Sequence, residues 1–335
     1  MKMKMKSVAV MVTAVILLCG VLPAAGAQTI KLASIAPESS PWGEALNKIA
    51  AEWSKISGGR VQLKIYHNGI AGDEANMLRK LKMGQIQGGV FTSLGMMELA
   101  PQVMTLSTPL LIRNDAELDY VMERLIPIMN KSIEEKNYVV ITWAKAGWVR
   151  FFAKDKVVTP ADLKKHRLIA SPDDPAFSEV FKQLGYDQVP VAITDVLQSL
   201  NSGLASALWA SPLAVAGFQW FGIANHMTDL KIAPFLGAFI ISKGAWLSIP
   251  PELRPKLLEA SRRITEELDL NSQKLEVYVL TIMKDNGLIV HPVPPAAEKL
   301  WEAEFKHAAE LLMGKTFSQD VYRQITGWLA EFRGK

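Results

Sequence analysis

Apolar positions along the chain follow two alternating periods. Residues 29–34 (TIKLAS) and 61–66 (VQLKIY) alternate as half-buried strands do. Between them Ala45, Ile49, Ala50 and Trp53 recur at helical spacing behind Ser39-Ser40-Pro41, and Gly58-Gly59 stops the run. The same reading predicts a helix over 73–84, a short buried strand over 88–92, one or two helices over 116–135 and a strand over 138–143. The second half repeats the order. A helical turn at 159–163, a strand at 166–170, a helix at 175–184 and a strand at 189–191 precede a helix capped by Thr194 and running to about Gly203. Residues 205–210 and the apolar segment 232–242 are read as strands. This succession predicts an α/β protein with mostly parallel sheets flanked by helices, in two lobes joined by more than one crossing around a cleft.

One pattern is longer than a lobe. From Pro251, behind a Ser248 cap, to Gly287 the helical period persists without glycine or proline after Pro255, carried by Ile264, Leu268, Leu275, Tyr278 and Ile282. A single rod of about 45–50 Å would lie along both lobes; a pair kinked at Asn271 is the alternative. The expected division is residues 28–149 with 233–255 as lobe I, 150–232 with 285–335 as lobe II, and 256–284 as the helix spanning both.

The N-terminus changes the setting. Lys2, Lys4 and Lys6 precede an apolar run over 8–22, and Ala25-Gly26-Ala27 supplies the small residues a signal peptidase needs, so the mature chain would begin at Gln28. About 15 apolar residues are short for a membrane anchor. Cys19, the chain's one cysteine, would leave with the leader, and with it any disulfide, thiol nucleophile or thiolate metal site. The chain's 335 residues carry 37 Lys+Arg and 33 Asp+Glu; without the leader lysines, 34 basic residues face 33 acidic ones. That balance leaves no electrostatic footprint for nucleic acid.

Catalytic and cofactor patterns are missing. His67, His166, His226, His291 and His307 are scattered with no pair at helical ligand spacing, and no HExxH, GxSxG, GxxxxGK[ST] or GxGxxG motif occurs. No cofactor or metal is expected. Gly88-Gly89 reads as a packing device or a close approach to a ligand, and Asp173-Asp174 as a helix cap or a cation site. Aromatic residues near presumed strand ends stand out instead: Trp42, Phe91, Trp148, Trp209, Phe218, Trp220 and Phe221. Each could be core, but pockets of open α/β sheets form outside the carboxyl ends of strands.

Several stretches in fixed order then carry a family resemblance: IKLASIAPESSPW from Ile30, GGRVQLKIYHNGIAGDE from Gly58, Thr108-Pro109-Leu110-Leu111, Thr159-Pro160-Ala161-Asp162-Leu163-Lys164, Trp220-Phe221-Gly222, and HMTDLKIAPFLGAFIISKGAW from His226. Over nearly all of its mature length the chain resembles the DctP-type solute receptors of TRAP (tripartite ATP-independent periplasmic) transporters. The resemblance implies a type II-like periplasmic-binding-protein fold that closes on a small molecule by a hinge near 148–153 and 232–236. It also implies delivery to the small and large membrane permease subunits, a periplasmic location, no enzymatic activity, and room for a periplasmic accessory protein.

The departures from the family are at the anion site. Carboxylate-binding members typically read DLKGLKIRV, whose arginine forks onto the substrate, whereas this chain places Ile169 at that position and Arg167 two residues earlier. The family's acidic and amide-rich run before a proline is here Ser206-Ala207-Leu208-Trp209-Ala210-Ser211-Pro212. Arg150 matches a second family arginine, and is read either as an anchor for a polar head or as an inter-lobe structural residue. The expected ligand-binding set is therefore Trp42, Phe91, Trp148, Arg150, Ile169, Trp209, Ser211, Pro212 and Phe235. The function this implies is a TRAP receptor of an atypical subgroup lacking the carboxylate-binding arginine, for a largely apolar organic molecule or monocarboxylate. A ligand sensor feeding a signalling kinase is the alternative, and an exported enzyme a weaker third.

Overall fold

The computed structural model describes residues 27–334; the leader expectation, Ala27 apart, lies outside them. The first sheet begins with β1 (Gln28–Ser34), α1 (Pro41–Ser57), β2 (Val61–Tyr66), α2 (Glu74–Lys82) and β3 (Gly88–Thr92). The helices α3 (Gln102–Leu106) and α4 (Asp115–Glu135) then lead to β4 (Tyr138–Trp148). The chain crosses at Val149 into β5 (Arg150–Ala153), α5 (Pro160–Leu163), β6 (Arg167–Ala170), α6 (Pro175–Gln183) and β7 (Asp187–Pro190). It continues through α7 (Val196–Asn201), β8 (Ala207–Ala210), α8 (Pro212–Gly217) and β9 (His226–Asp229). It returns as β10 (Pro234–Ser242) and α9 (Lys243–Ser248), and closes with α10 (Arg254–Asp285), β11 (Ile289–Pro292), α11 (Pro295–Leu312) and α12 (Gln319–Arg333).

Local chemistry explains the boundaries. Ser40 accepts a bond from the Gly43 amide and Pro41 opens α1, while Gly58, at φ 60°, turns the chain left-handed and returns its N–H to the carbonyls of Ser54 and Lys55. Thr159 and Asp162 close a reciprocal capping box on α5. Residues 116–135 form one helix despite Pro127, with Asn114 as its cap.

The two sheets have strand orders β2-β1-β3-β10-β4 and β11-β9-β5-β8-β6-β7. They are mixed rather than mostly parallel. In the first, β1 pairs parallel with β2 and β3, but β10 runs antiparallel between β3 and β4. In the second, β5 is antiparallel to both β8 and β9. The reason is the crossings. A strand that enters a sheet from the other lobe starts at the cleft, where the sheet's own βα strands end, and so runs against them.

The two crossings are bonded to each other, Val149 N–H to Ala233 O and Ile232 N–H to Val149 O, each at 2.9 Å. The third connection is α10, an unbroken 32-residue helix of roughly 48 Å. It passes Asn271 without a break, the Asn271 amide donating to the Glu267 carbonyl. Its start differs from expectation: Ser248 ends α9, and α10 begins after Leu253 with no side-chain cap. Ile249 precedes Pro250 and is held extended, so the helix restarts beyond the prolines. Its apolar stripe is also less continuous than its spacing suggests, since Ile264 is buried but Tyr278 and Ile282 are solvent-exposed. Thr194 likewise caps nothing: it lies in a short 3-10 turn ahead of α7.

The segment after α10 divides. β11 and α11 sit with the second sheet, Trp301 donating to the Val158 carbonyl at 2.8 Å and stacking on Phe151. Helix α12 returns to the first lobe, where Arg333 forks onto buried Glu117 with two 2.8 Å bonds and Phe332 meets Tyr120. Residues 285–335 therefore do not form one block with lobe II. Among the described residues no helix is long and apolar enough to cross a membrane.

Candidate functional site

The carboxyl ends of β1, β3, β6 and β8 and the amino end of β10 converge on a cavity of about 230 Å³ between the sheets. Six of the nine expected residues line it: Trp42 on α1, Phe91 on β3, Phe235 on β10, Ile169 on β6, Trp209 on β8, and Ser211 just after it. Phe218 and Trp220 extend the aromatic wall, and Thr265 and Leu268 of α10 close one side. Trp209 is half-buried, stacked on Phe177 at 5.4 Å and edge-on to Phe235 at 6.2 Å, so one aromatic contact bridges the lobes. Gly147 marks how closely they approach: at φ 95° a Cβ there would lie 3.0 Å from Ser211 Cβ.

The other three expected residues are elsewhere. Pro212 is buried as the first residue of α8, where Ser211 Oγ accepts the Ala214 amide. Trp148 donates to Asp115 Oδ1 at 2.8 Å beside a separate cleft of about 260 Å³ that also meets Lys145 and Lys231. Arg150, only 4% exposed, bonds Glu276 of α10 at 2.7 Å and lies 3.7 Å from Asp229. Its guanidinium fastens β5 to the long helix. Arg167 faces outward: it sits at the amino end of β6, away from the cavity, and pairs with Asp187 opposite it on β7 at 3.2 Å. Both arginines thus have carboxylate partners outside the cavity.

Gly88 and Gly89 serve packing, since a Cβ on either would press on the Ile240 carbonyl or the Phe91 ring. Asp174 caps α6 by accepting the Phe177 amide at 2.9 Å, leaving Asp173 on the cavity wall. Among the described residues no group of three His, Cys, Asp or Glu side chains is placed to hold a metal. Two of the scattered histidines do meet, His226 and His291 stacking on adjacent strands with 2.8 Å between ring nitrogens.

Every ionisable side chain lining the cavity is acidic: Asp73, Glu74 and Asp173. The sequence reading did not single out Asp73 and Glu74, which open α2; what it offered was an Asp-Glu pair directly after a turn glycine, the usual look of a helix cap. Glu74 is buried, with Oε2 accepting Thr92 Oγ1–H at 2.7 Å and Oε1 accepting the Thr92 amide. Burial pushes its carboxyl up to about 7 against those bonds, with Asp173 and Asp73 adding to the rise. Asp173 is also raised, first by burial and then by Asp73.

A consequence is measurable. Between about 4.5 and about 7 folded Glu74 keeps a proton that the unfolded chain has released, so its contribution to stability falls as pH rises through that window. Relative to wild type, Glu74→Gln should remove that decline, so its urea midpoint should rise against that of wild type as the pH goes from 5 to 8. Asp269, raised by its own burial, is the same in both proteins and cancels in the comparison. An unchanged pH profile in the variant would rule this out.

The comparisons with known proteins fit this architecture. A solute-binding protein of Chromohalobacter salexigens is 24% identical over 238 residues, about 70% of either chain. The sugar-acid-binding protein DctPAm of Advenella mimigardefordensis, solved with galactonate, superposes with a TM-score of 0.85 at 16% identity, covering 91% of this chain and 99% of that one. A TRAP periplasmic solute-binding protein of Ralstonia eutropha, solved with bound (S)-2-acetolactate, gives 0.82 at 18% identity over 91% and 99%. At such identities the structures show a shared fold. The model of bacterial extracellular solute-binding protein family 7, DctP, matches residues 32–316. The chain therefore belongs to that family, and is a solute-binding receptor rather than an enzyme.

Proposed function

We propose that this receptor takes up a small, largely apolar organic molecule in the cavity between its lobes and delivers it to the membrane subunits of a TRAP transporter. In this reading the mature protein works in the periplasm after removal of a leader ending near Ala27. The observation that carries the ligand class is the cavity wall: aromatic and aliphatic side chains from both lobes, with no basic residue among them. Apolar walls with few polar anchors suit such a ligand. The structural relatives were solved with galactonate and acetolactate, both acids, and an acid entering this cavity would shed its hydration with no cation to meet it. Arg150, the expected anchor for a monocarboxylate, is already paired with Glu276.

Delivery needs a receptor that opens and closes. The ribbon of Val149 and Ala233 and the middle of α10 are the elements that would absorb the rotation. Calorimetry with succinate and with galactonate is expected to show no binding, while native mass spectrometry of freshly purified protein should show a co-purified small molecule. Micromolar binding of either acid, unaffected by Arg150→Ala, would overturn the reading.

A further inference from the structure

The charge pattern of the cavity goes further than its apolarity. Its ionisable side chains are all acidic, and they come from opposite lobes: Asp73 and Glu74 where α2 begins in the first lobe, Asp173 just ahead of α6 in the second. All three line the one cavity, so the lobes present acidic groups to one another across the cleft. Asp73 has partners of its own, the Asn76 amide and side chain. The Asp173 carboxylate accepts no hydrogen bond and joins no ion pair among the described residues. The indole rings of Trp42 and Trp209, one from each lobe and both half-exposed, line the same cavity.

We propose that the solute is an organic cation, an ammonium group on a compact apolar body, whose charge sits between Asp73 and Glu74 of one lobe and Asp173 of the other while the body packs on the tryptophans. The proposal rests on the receptor reading above and specifies the ligand's charge. A cation placed there gains paired carboxylates and the faces of aromatic rings. It also removes the like-charge opposition between the lobes, which favours the closed form in proportion to the solute's preference for it. A carboxylate solute would meet the reverse on all three counts.

Isothermal titration of the mature receptor at pH 7.5 with three probes of one skeleton tests this: 2-phenylethylamine (protonated at that pH), 2-phenylethanol and phenylacetate. The expected order is ammonium over alcohol by at least about tenfold, with phenylacetate weakest. Asp173→Asn should shrink the preference for ammonium over alcohol by about the same factor. Asp73→Asn, which keeps a side chain able to cap α2, should do likewise and provides a second variant. Phenylacetate binding as tightly as the ammonium would overturn the proposal, as would an alcohol equal to the ammonium, though the latter leaves the apolar reading standing. Failure of all three probes to bind overturns the apolar-wall reading and this inference with it.

Discussion

Glu276→Ala is expected to lower the stability of the protein by about 3 kcal/mol, more than most single substitutions do. Glu276 is 16% exposed at its side chain and holds Arg150, which is 4% exposed, through a 2.7 Å bond. The Arg150 Nε already lacks a hydrogen-bond partner, and Asp229 stands 3.7 Å away on the exposed side. Truncating Glu276 leaves a buried guanidinium with one distant, solvated counter-charge, and the penalty is that of an uncompensated ion rather than the loss of an attractive pair. The double variant Arg150→Met, Glu276→Leu should therefore recover much of the loss, because replacing both partners with apolar side chains removes the desolvation cost. Urea unfolding followed by circular dichroism measures both. A loss below about 1 kcal/mol for the single variant would mean that the pair is screened and does not fasten α10 to β5.

The second large effect is expected at Trp53. Trp53→Ala should cost about 3–5 kcal/mol. The indole is completely buried between α1 and α10, with Phe239 and Trp246 at ring separations of 6.0 and 6.1 Å. Its Nε1–H donates to Ser261 Oγ at 2.9 Å and to the Leu257 carbonyl at 3.2 Å. Alanine opens a cavity and removes the donor at once; Trp53→Phe keeps most of the apolar volume and should lose markedly less. The same unfolding assay separates them, and equal losses for Ala and Phe would place the cost in the hydrogen bonds rather than in packing. Because Trp53 ties α10 to the first lobe alone, the fault would lie at one end of the lobe-spanning helix.

Both sites show what the one-dimensional pattern can and cannot carry. Trp53 was legible as a core position because α1 repeats its apolar residues every three or four positions behind a serine cap, and both features act within one turn of helix. The length of α10 was legible for the same reason, since no glycine or proline interrupts it. Its first residue was not, because the prolines at 250 and 251 act on the backbone of the residue before them rather than on the periodicity. The strand directions were misread where the chain changes lobes: β5 and β10 are adjacent to strands far away in sequence, and no local pattern records the direction of entry. Arg150 and Arg167 show the same limit at the level of chemistry. Each could be listed as a candidate cation from its sequence position, but the Glu276 and Asp187 that engage them lie 126 and 20 residues on.

The amino-acid order by itself determined the alternation of strands and helices, the two lobes, the unbroken rod and the family. These follow from short-range periodicity, capping and the order of motifs along one chain. Tertiary structure alone decided which aromatics share a wall, that Arg150 and Arg167 are engaged elsewhere, and that Asp73, Glu74 and Asp173 face one space. Those facts depend on distances between residues more than a hundred positions apart in the chain, and Coulomb and packing energies are functions of such distances rather than of separation along the chain.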